Sequence, residues 1–519
     1  MNLVSERGAN WRVVATGLSL ITLALVALAA FAARAQAAET IYWNNYGDNP
    51  DTIGFANIDG SGGGELNLSG IALEGPEGMA YDSVTNRLFV AADSSGTDGQ
   101  IIAVNADGSG ASVFTAPGAP VNEPEGITLD PATRTVYWIN TKTGSESLAW
   151  ALLDGSAGGV INSAGASLQS SYRLALDPIA GRLYWGTNAG GGAIQFANLN
   201  GTGGGTLDIS GAPAPSGSIE GIAVDPAGNR VYWLSDGTES LSFASLSGGG
   251  GGTVNWTGLP VNSPWGLAFD PSLGRLYWGN ESNGEDRIGA FGFANLAGGG
   301  GGINIATAPV ANPQDPVILK SPTPTGAPAI ARNAKARAEL ACSAGGWGSD
   351  YPGSFVYQAP RSLSYRWTLN GMTVAGATAA THTATLPGSY VCTVTATNQV
   401  GSAEQSSALV KVAPPRVKLV VKKKAKAQPG QVVTFKVRAK NQGDLTTVKK
   451  VRVCVKLPKA AKADLKAPKC KVLGKVKSQG KKATKLKIKV GPDAGGTYKV
   501  KFRVKGSFGK TAKSKIVVR

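Results

Sequence analysis

The chain has 519 residues, with 51 Lys+Arg against 34 Asp+Glu and a formal net charge of +17. Its 71 glycines are about double the usual ~7% share, and they exclude long helical bundles, because glycine costs ~1 kcal/mol per helical position relative to Ala. A single histidine, His382, excludes most His-based catalytic triads and His-ligated metal sites.

In chain order, residues 1–37 read as an export signal. Arg7 and Arg12 precede an uncharged stretch from Val13 to Ala33, and Ala35-Gln36-Ala37 offers small residues for cleavage before Ala38. The stretch is also long enough to span a bilayer, so a retained signal-anchor stands beside cleavage as the one route to membrane attachment. Either outcome places the remainder outside the cytoplasm, secreted or at the cell surface or wall. The cysteines agree: Cys342/Cys392 and Cys454/Cys470 are two pairs, and an even number in an exported chain favours disulfides over a metal site.

Residues 38–320 repeat. An aromatic pair or its equivalent recurs at Tyr42-Trp43, Phe89-Val90, Tyr137-Trp138, Tyr184-Trp185, Tyr232-Trp233 and Tyr277-Trp278, at a period of about 47 residues. Seven positions before each of the last five lies Asp82, Asp130, Asp177, Asp225 or Asp270. Each unit reads as four short strands with a Gly-rich turn, which is the pattern of a propeller blade. The first unit lacks its leading strand, and Val317–Lys320 falls where that strand is missing. These residues are therefore expected to complete the blade begun at Tyr42 and close a six-bladed ring.

The Tyr-Trp repeats, with Pro-Glu-Gly or Trp-Gly before each Asp, resemble the YWTD (LDL-receptor class B) propellers and the related NHL-type propellers. The last position of Tyr-Trp-Thr-Asp is Asn45, Ala92, Asn140, Thr187, Ser235 and Asn280 here, so the role of that aspartate does not transfer. The resemblance implies a platform that binds a protein or glycan ligand. If the Gly-x-Ala-x-Asp strand is innermost, the residue five before each Asp marks a ring at the channel mouth: Glu77, Glu125, Tyr172, Glu220 and Trp265, with Gln314 as sixth member. Three carboxylates with two aromatics suit a cation, a stacked sugar or a basic peptide. The repeated Asp residues are expected to accept turn N–H bonds, Arg87, Arg182, Arg230 and Arg275 to brace the hairpins, and the Tyr-Trp pairs to form core. No catalytic residue, metal ligand or cofactor site is assigned, because no nucleophile elbow, zinc-protease or P-loop motif is present. A propeller lyase or lactonase, and a purely structural surface component, are the competing classes.

Residues 321–334 read as a Pro-rich linker. In residues 335–413, Cys342 and Cys392 flank Trp367 symmetrically, and Tyr390 lies two before Cys392, as in a tyrosine corner. This segment and GSYVCTVTATNQVGS at 388–402 resemble bacterial Ig-like and PKD-type domains, with His382 expected at the surface.

Residues 414–519 carry 33 Lys+Arg and 3 Asp, so this segment is +30, and the rest of the chain is −13. Its strands alternate with period two, putting apolar groups on one face and cations such as Lys436, Arg438, Lys499, Lys501 and Arg503 on the other. Turns at Pro429-Gly430-Gln431 and Lys440-Asn441-Gln442-Gly443 resemble CARDB-like or DUF11-like Ig folds. The expected partner is an anionic polymer of the cell envelope; sparse aromatics among the lysines argue against specific nucleic-acid reading. The sequence thus predicts an all-β chain, a six-bladed β-propeller followed by two Ig-like β-sandwich domains, acting as a non-enzymatic binding or adhesion protein.

Overall fold

The computed structural model describes residues 39–519 apart from 48–49, 69, 94–97, 189–190, 257, 259–260, 282–288, 335, 448 and 506–508. The expected export signal, and with it the signal-anchor reading, lies outside the described residues.

The chain is all-β: a six-bladed propeller followed by two Ig-like sandwiches. Each blade is an antiparallel sheet of four strands whose innermost members are Pro76–Asp82, Pro124–Asp130, Ser171–Asp177, Ile219–Asp225, Pro264–Asp270 and Pro313–Lys320. These six strands neighbour one another in a closed cycle. Closure runs as the repeat register requires: Pro313–Lys320 pairs with Glu39–Asn45 in the register Glu39↔Lys320 and Ile41↔Ile318. Lys320, only 5% exposed, also reaches Glu39 at 3.1 Å and the fully buried Asp270. One ammonium therefore clasps the first strand, the last strand and the fifth inner strand together.

Between blades the aromatic pairs are core, as their repetition implied. Trp43, Trp138, Trp185, Trp233 and Trp278 are essentially inaccessible, and Phe89, Ile101 and Trp138 join adjacent blades in one cluster. Four of the repeated aspartates accept the N–H two residues on, as at Asp130 to Ala132 and Asp177 to Ile179, both 2.9 Å, and Asp225 accepts from Gly228 N, three on, at 2.9 Å. The two-residue spacing is the Asx-turn pattern, and it holds whether the next residue is a proline or, after Asp82, Ser83. Arg182, Arg230 and Arg275 lie across the neighbouring strand, stacked over Phe196, Phe243 and Phe293 at 4.3–4.6 Å.

Two segments that sequence assigns to the first sandwich cluster instead with the propeller, namely Gly348–Arg361 and Thr397–Ala403. In the first of them, Val356–Tyr357 adds a parallel strand to Ile318–Leu319. The remaining residues from Pro324 onward form the second compact unit. Residues 321–334 are not the extended linker expected of them: from Pro324 onward they belong to this unit, where Pro324–Gly326 pairs with Gly346–Trp347, and Ile330–Arg332 pairs with Glu339–Cys342. Prolines at the ends of such short edge pairings remove no needed donor.

In the first sandwich Trp367 is fully buried beside the Cys342–Cys392 disulfide, and the Tyr390 hydroxyl donates to Leu386 O at 2.9 Å. His382 is not a free surface residue. Its ring sits 5.5 Å from Trp367 and 5.6 Å from Tyr390, and partial burial lowers its pKa. The second sandwich packs two five-stranded sheets over Phe435, Val437, Val500, Phe502 and Ile516, with Cys454–Cys470 bridging neighbouring strands. Asp444 ties the two modules, accepting from Arg332 and Arg337, both at 3.1 Å, and from Ala413 N at 2.8 Å.

Candidate functional site

Every innermost strand carries a register shift near its N-terminal end: Pro76/Gly78, Pro124/Ile127, Ser171/Leu174, Ile219/Gly221, Trp265/Ala268 and, on the closing strand, the step opposite Tyr42/Asn44. A bulge re-aims side chains that regular alternation would bury between blades. Here it gathers the ring expected from sequence. The residue after each ring member is Gly78, Gly126, Gly221 or Gly266 in four blades, where adjacent inner strands nearly touch. A Cβ on Gly126 would lie 2.5 Å from Leu174 N.

In the other two blades that position is Arg173 and Asp315, and here the structure adds what the sequence reading missed. Arg173, 2% exposed, is the hub of the channel. Its Nη1 lies 3.2 Å from Glu77 and 3.9 Å from Glu125, its Nε lies 3.0 Å from Asp315, and its Nη2 donates to Gln314 Oε1 at 2.9 Å. The guanidinium also sits 5.1 Å from the centroid of the Trp265 ring. Tyr172 and Glu220 complete the circle: Tyr172 is half-buried and feels the charges of Glu220 and Glu125. A signal existed in the sequence, since only Arg173 and Asp315 interrupt the run of glycines after the ring residues.

Four carboxylates thus surround one guanidinium. Burial raises Glu77, an effect that Arg173 partly offsets. Burial and the neighbouring Glu77 push Glu125 well up, and burial pushes Glu220 up to about 7 and Asp315 up to about 6. Arg173 is held protonated by these acids despite its own burial. Glu220, 5% exposed, has an Oε2 that meets no hydrogen-bond donor among the described residues. Around the mouth stand more acids: Asp51 and Asp93, beside Glu77 and Glu125, all raise the Tyr46 hydroxyl, after burial itself. Trp265 Nε1 is anchored to Glu281 at 3.2 Å.

The opposite end of the channel is sealed. Val224 N, Phe269 N and Ile318 N donate to Gly353 O, Ser354 O and Phe355 O at 3.2, 2.8 and 2.9 Å. Those amides belong to three different inner strands, so one peptide segment caps three blades. Phe355 rises from it toward Arg173, and the small void between them is lined by Ile222, Leu267, Asp315 and Pro316 and has no room for a water. The end of the channel left open by this segment is the one that carries Glu77, Glu125 and Glu220.

The cationic residues divide differently from the simplest reading of the sequence. Lys436 and Arg438 project from the outer face of one sheet of the second sandwich, whereas Lys499, Lys501 and Arg503 project from the outer face of the other. The structure does not bring these five side chains together. Among the described residues, no three His, Cys, Asp or Glu side chains converge closely enough to hold a metal ion.

A family profile described as the PKD domain matches residues 348–410. No curated protein matches the chain by sequence. Among solved structures, a chain of a nidogen–laminin complex is 16% identical, over 54% of this chain and 98% of that one, with a TM-score of 0.42. TolB from Acinetobacter baumannii is 12% identical, over 54% and 66%, with a TM-score of 0.39. A gluconolactonase from Xanthomonas campestris is 17% identical, over 48% and 89%, with a TM-score of 0.32. These likenesses are of fold alone.

Proposed function

We propose that the chain is an exported, non-enzymatic binding or adhesion protein whose propeller takes a cationic group of a ligand, such as a basic segment of a protein, at the channel mouth. The observation that carries this reading is the unpartnered Oε2 of Glu220 in a ring where Glu77, Glu125, Glu220 and Asp315 share a single counter-ion, Arg173. A buried carboxylate oxygen without a donor is costly, and an incoming ammonium or guanidinium beside Glu220 would supply the donor. Trp265 and Tyr172 offer aromatic faces for its methylenes. The two disulfides and the PKD match support an extracellular setting.

The second sandwich is proposed to retain the chain on anionic envelope polymers by charge, with salt reversing the attachment. The mouth is tested by calorimetry of the full chain with a lysine-rich peptide and an uncharged peptide of equal length. Selective binding of the basic peptide, weakened about tenfold by Glu220→Gln (the loss of one charge-assisted hydrogen bond), supports the reading. Equal binding of both peptides, or indifference to Glu220→Gln and Glu125→Gln, overturns it.

A further inference from the structure

The five cations expected to bind polyanions lie on opposite sheets, and register shows how far this two-sidedness extends. On the first sheet Lys440 stands directly opposite both Lys418 and Lys481, and Lys436 stands opposite Lys485. On the second, Lys499 faces Lys515, Lys501 faces both Lys513 and Lys456, and Arg452 faces Lys505. All of these are exposed. Like charges directly opposed across strands destabilise a sheet, and among the described residues no salt bridge reaches these cations. Of its three acids, Asp444 is engaged by Arg332 and Arg337, Asp464 accepts from Tyr498, and Asp493 lies in a turn. Each face is built to be neutralised from outside.

We infer that the second sandwich binds two linear anionic polymers at once, one on each sheet, and so cross-links them. This rests on the proposed retention by anionic polymers and extends it. The sheets are ~10 Å apart through the core, and the cations point away from each other, so a strand lying on one face leaves the other free. Two opposite faces cannot both lie on one membrane plane, which favours separate polymer strands over a lipid surface. Phe435 and Phe502 point inward and are 2% and 0% exposed, so the faces offer ladders of cations rather than aromatic platforms for bases. Along a strand the cations recur every second residue, ~6.8 Å apart, a spacing suited to phosphate or carboxylate groups carried on successive repeat units.

The test mixes the full chain with polyphosphate. Short polyphosphate is expected to bind with a stoichiometry of two per chain, and long polyphosphate to scatter light with a maximum at an intermediate protein-to-polymer ratio that dissolves at high salt. The variants Lys436→Gln/Arg438→Gln/Lys440→Gln and Lys499→Gln/Lys501→Gln/Arg503→Gln should each retain one bound short chain and lose the scattering maximum, with melting transitions no lower than wild type. A wild-type stoichiometry of one, or one variant losing all binding while the other loses none, overturns two-sided binding while leaving retention standing. If the wild type binds no polyphosphate at low salt, retention by charge fails, and bridging with it.

Discussion

Asp315 holds Arg173 at 3.0 Å across the propeller channel, and the two residues occupy equivalent positions in different blades, where four other blades have glycine. Where glycine lets the inner strands abut in four blades, these two blades carry side chains that form an ion pair, which sets one cation among the carboxylates of the mouth. With Arg173 present the ring is acidic but held together; without it, three or four carboxylates would face one another in a water-poor space.

Replacing Arg173 by Met should therefore cost about 3–5 kcal/mol of stability at pH 8, because it leaves buried carboxylates unpaired. The cost should shrink at pH 5, where Asp315 and Glu220, with pKa values of about 6 and about 7, are largely protonated. Denaturant titration of the propeller transition at the two pH values measures both. An equal loss at each pH would show that Arg173 acts by packing rather than by charge.

Glu220 gives the propeller a pH dependence of definite sign. Its folded pKa lies above its unfolded value, so its protonated form favours the fold, and this contribution is lost as pH rises from about 4.5 toward about 7. The loss is at most roughly 3 kcal/mol, from ~1.36 kcal/mol per unit. Glu220→Gln should flatten the stability profile over that window and stabilise the protein at pH 8. Binding of a cationic ligand should behave oppositely, tightening in the wild type as pH passes 7.

Gly353 lies in the segment that seals the channel, at φ +80°, and a Cβ there would lie 1.8 Å from Leu176 O. Gly353→Ala should displace that segment at a cost of at least about 1–2 kcal/mol. Hydrogen exchange offers a local readout, since the amides of Val224, Phe269 and Ile318 should lose protection together. Unchanged protection at all three would refute the sealing role.

The second sandwich should become more stable as salt rises, because screening relieves opposed lysines. Lys436→Glu, which turns the pair with Lys485 into an attractive one, should stabilise it by about 0.2–1 kcal/mol at low salt. Scanning calorimetry across ionic strength checks both, and a melting temperature that falls with added salt would contradict the account.

The blades were legible because their residues recur: a period of about 47 carries Tyr-Trp into the core and Asp into the turns regardless of what the loops do. The ring was legible for the same reason. Arg173 was not, because the repeat directs attention to positions that agree, and its importance comes from being where the pattern breaks. The sealing segment at Tyr351–Tyr357 has no periodicity, and it pairs with strands far away in the chain, so no local signal announced it. In the second sandwich, alternation told which side chains face outward, but it does not tell which of two sheets a strand joins. Alternation alone therefore did not place Lys436 and Lys499 on opposite faces.

The seal also bears on where this protein can be cut. A fragment ending at Lys320 would keep all six blades, yet its channel would lose its floor, the amides of Val224, Phe269 and Ile318 would lose their acceptors, and Phe355 would be missing from the core beneath Arg173. The propeller is thus not a cassette bounded by its repeats. The compact unit it belongs to takes in segments as far along the chain as Ala403, so a gene fusion or an expression boundary drawn at the last blade would divide that unit in two.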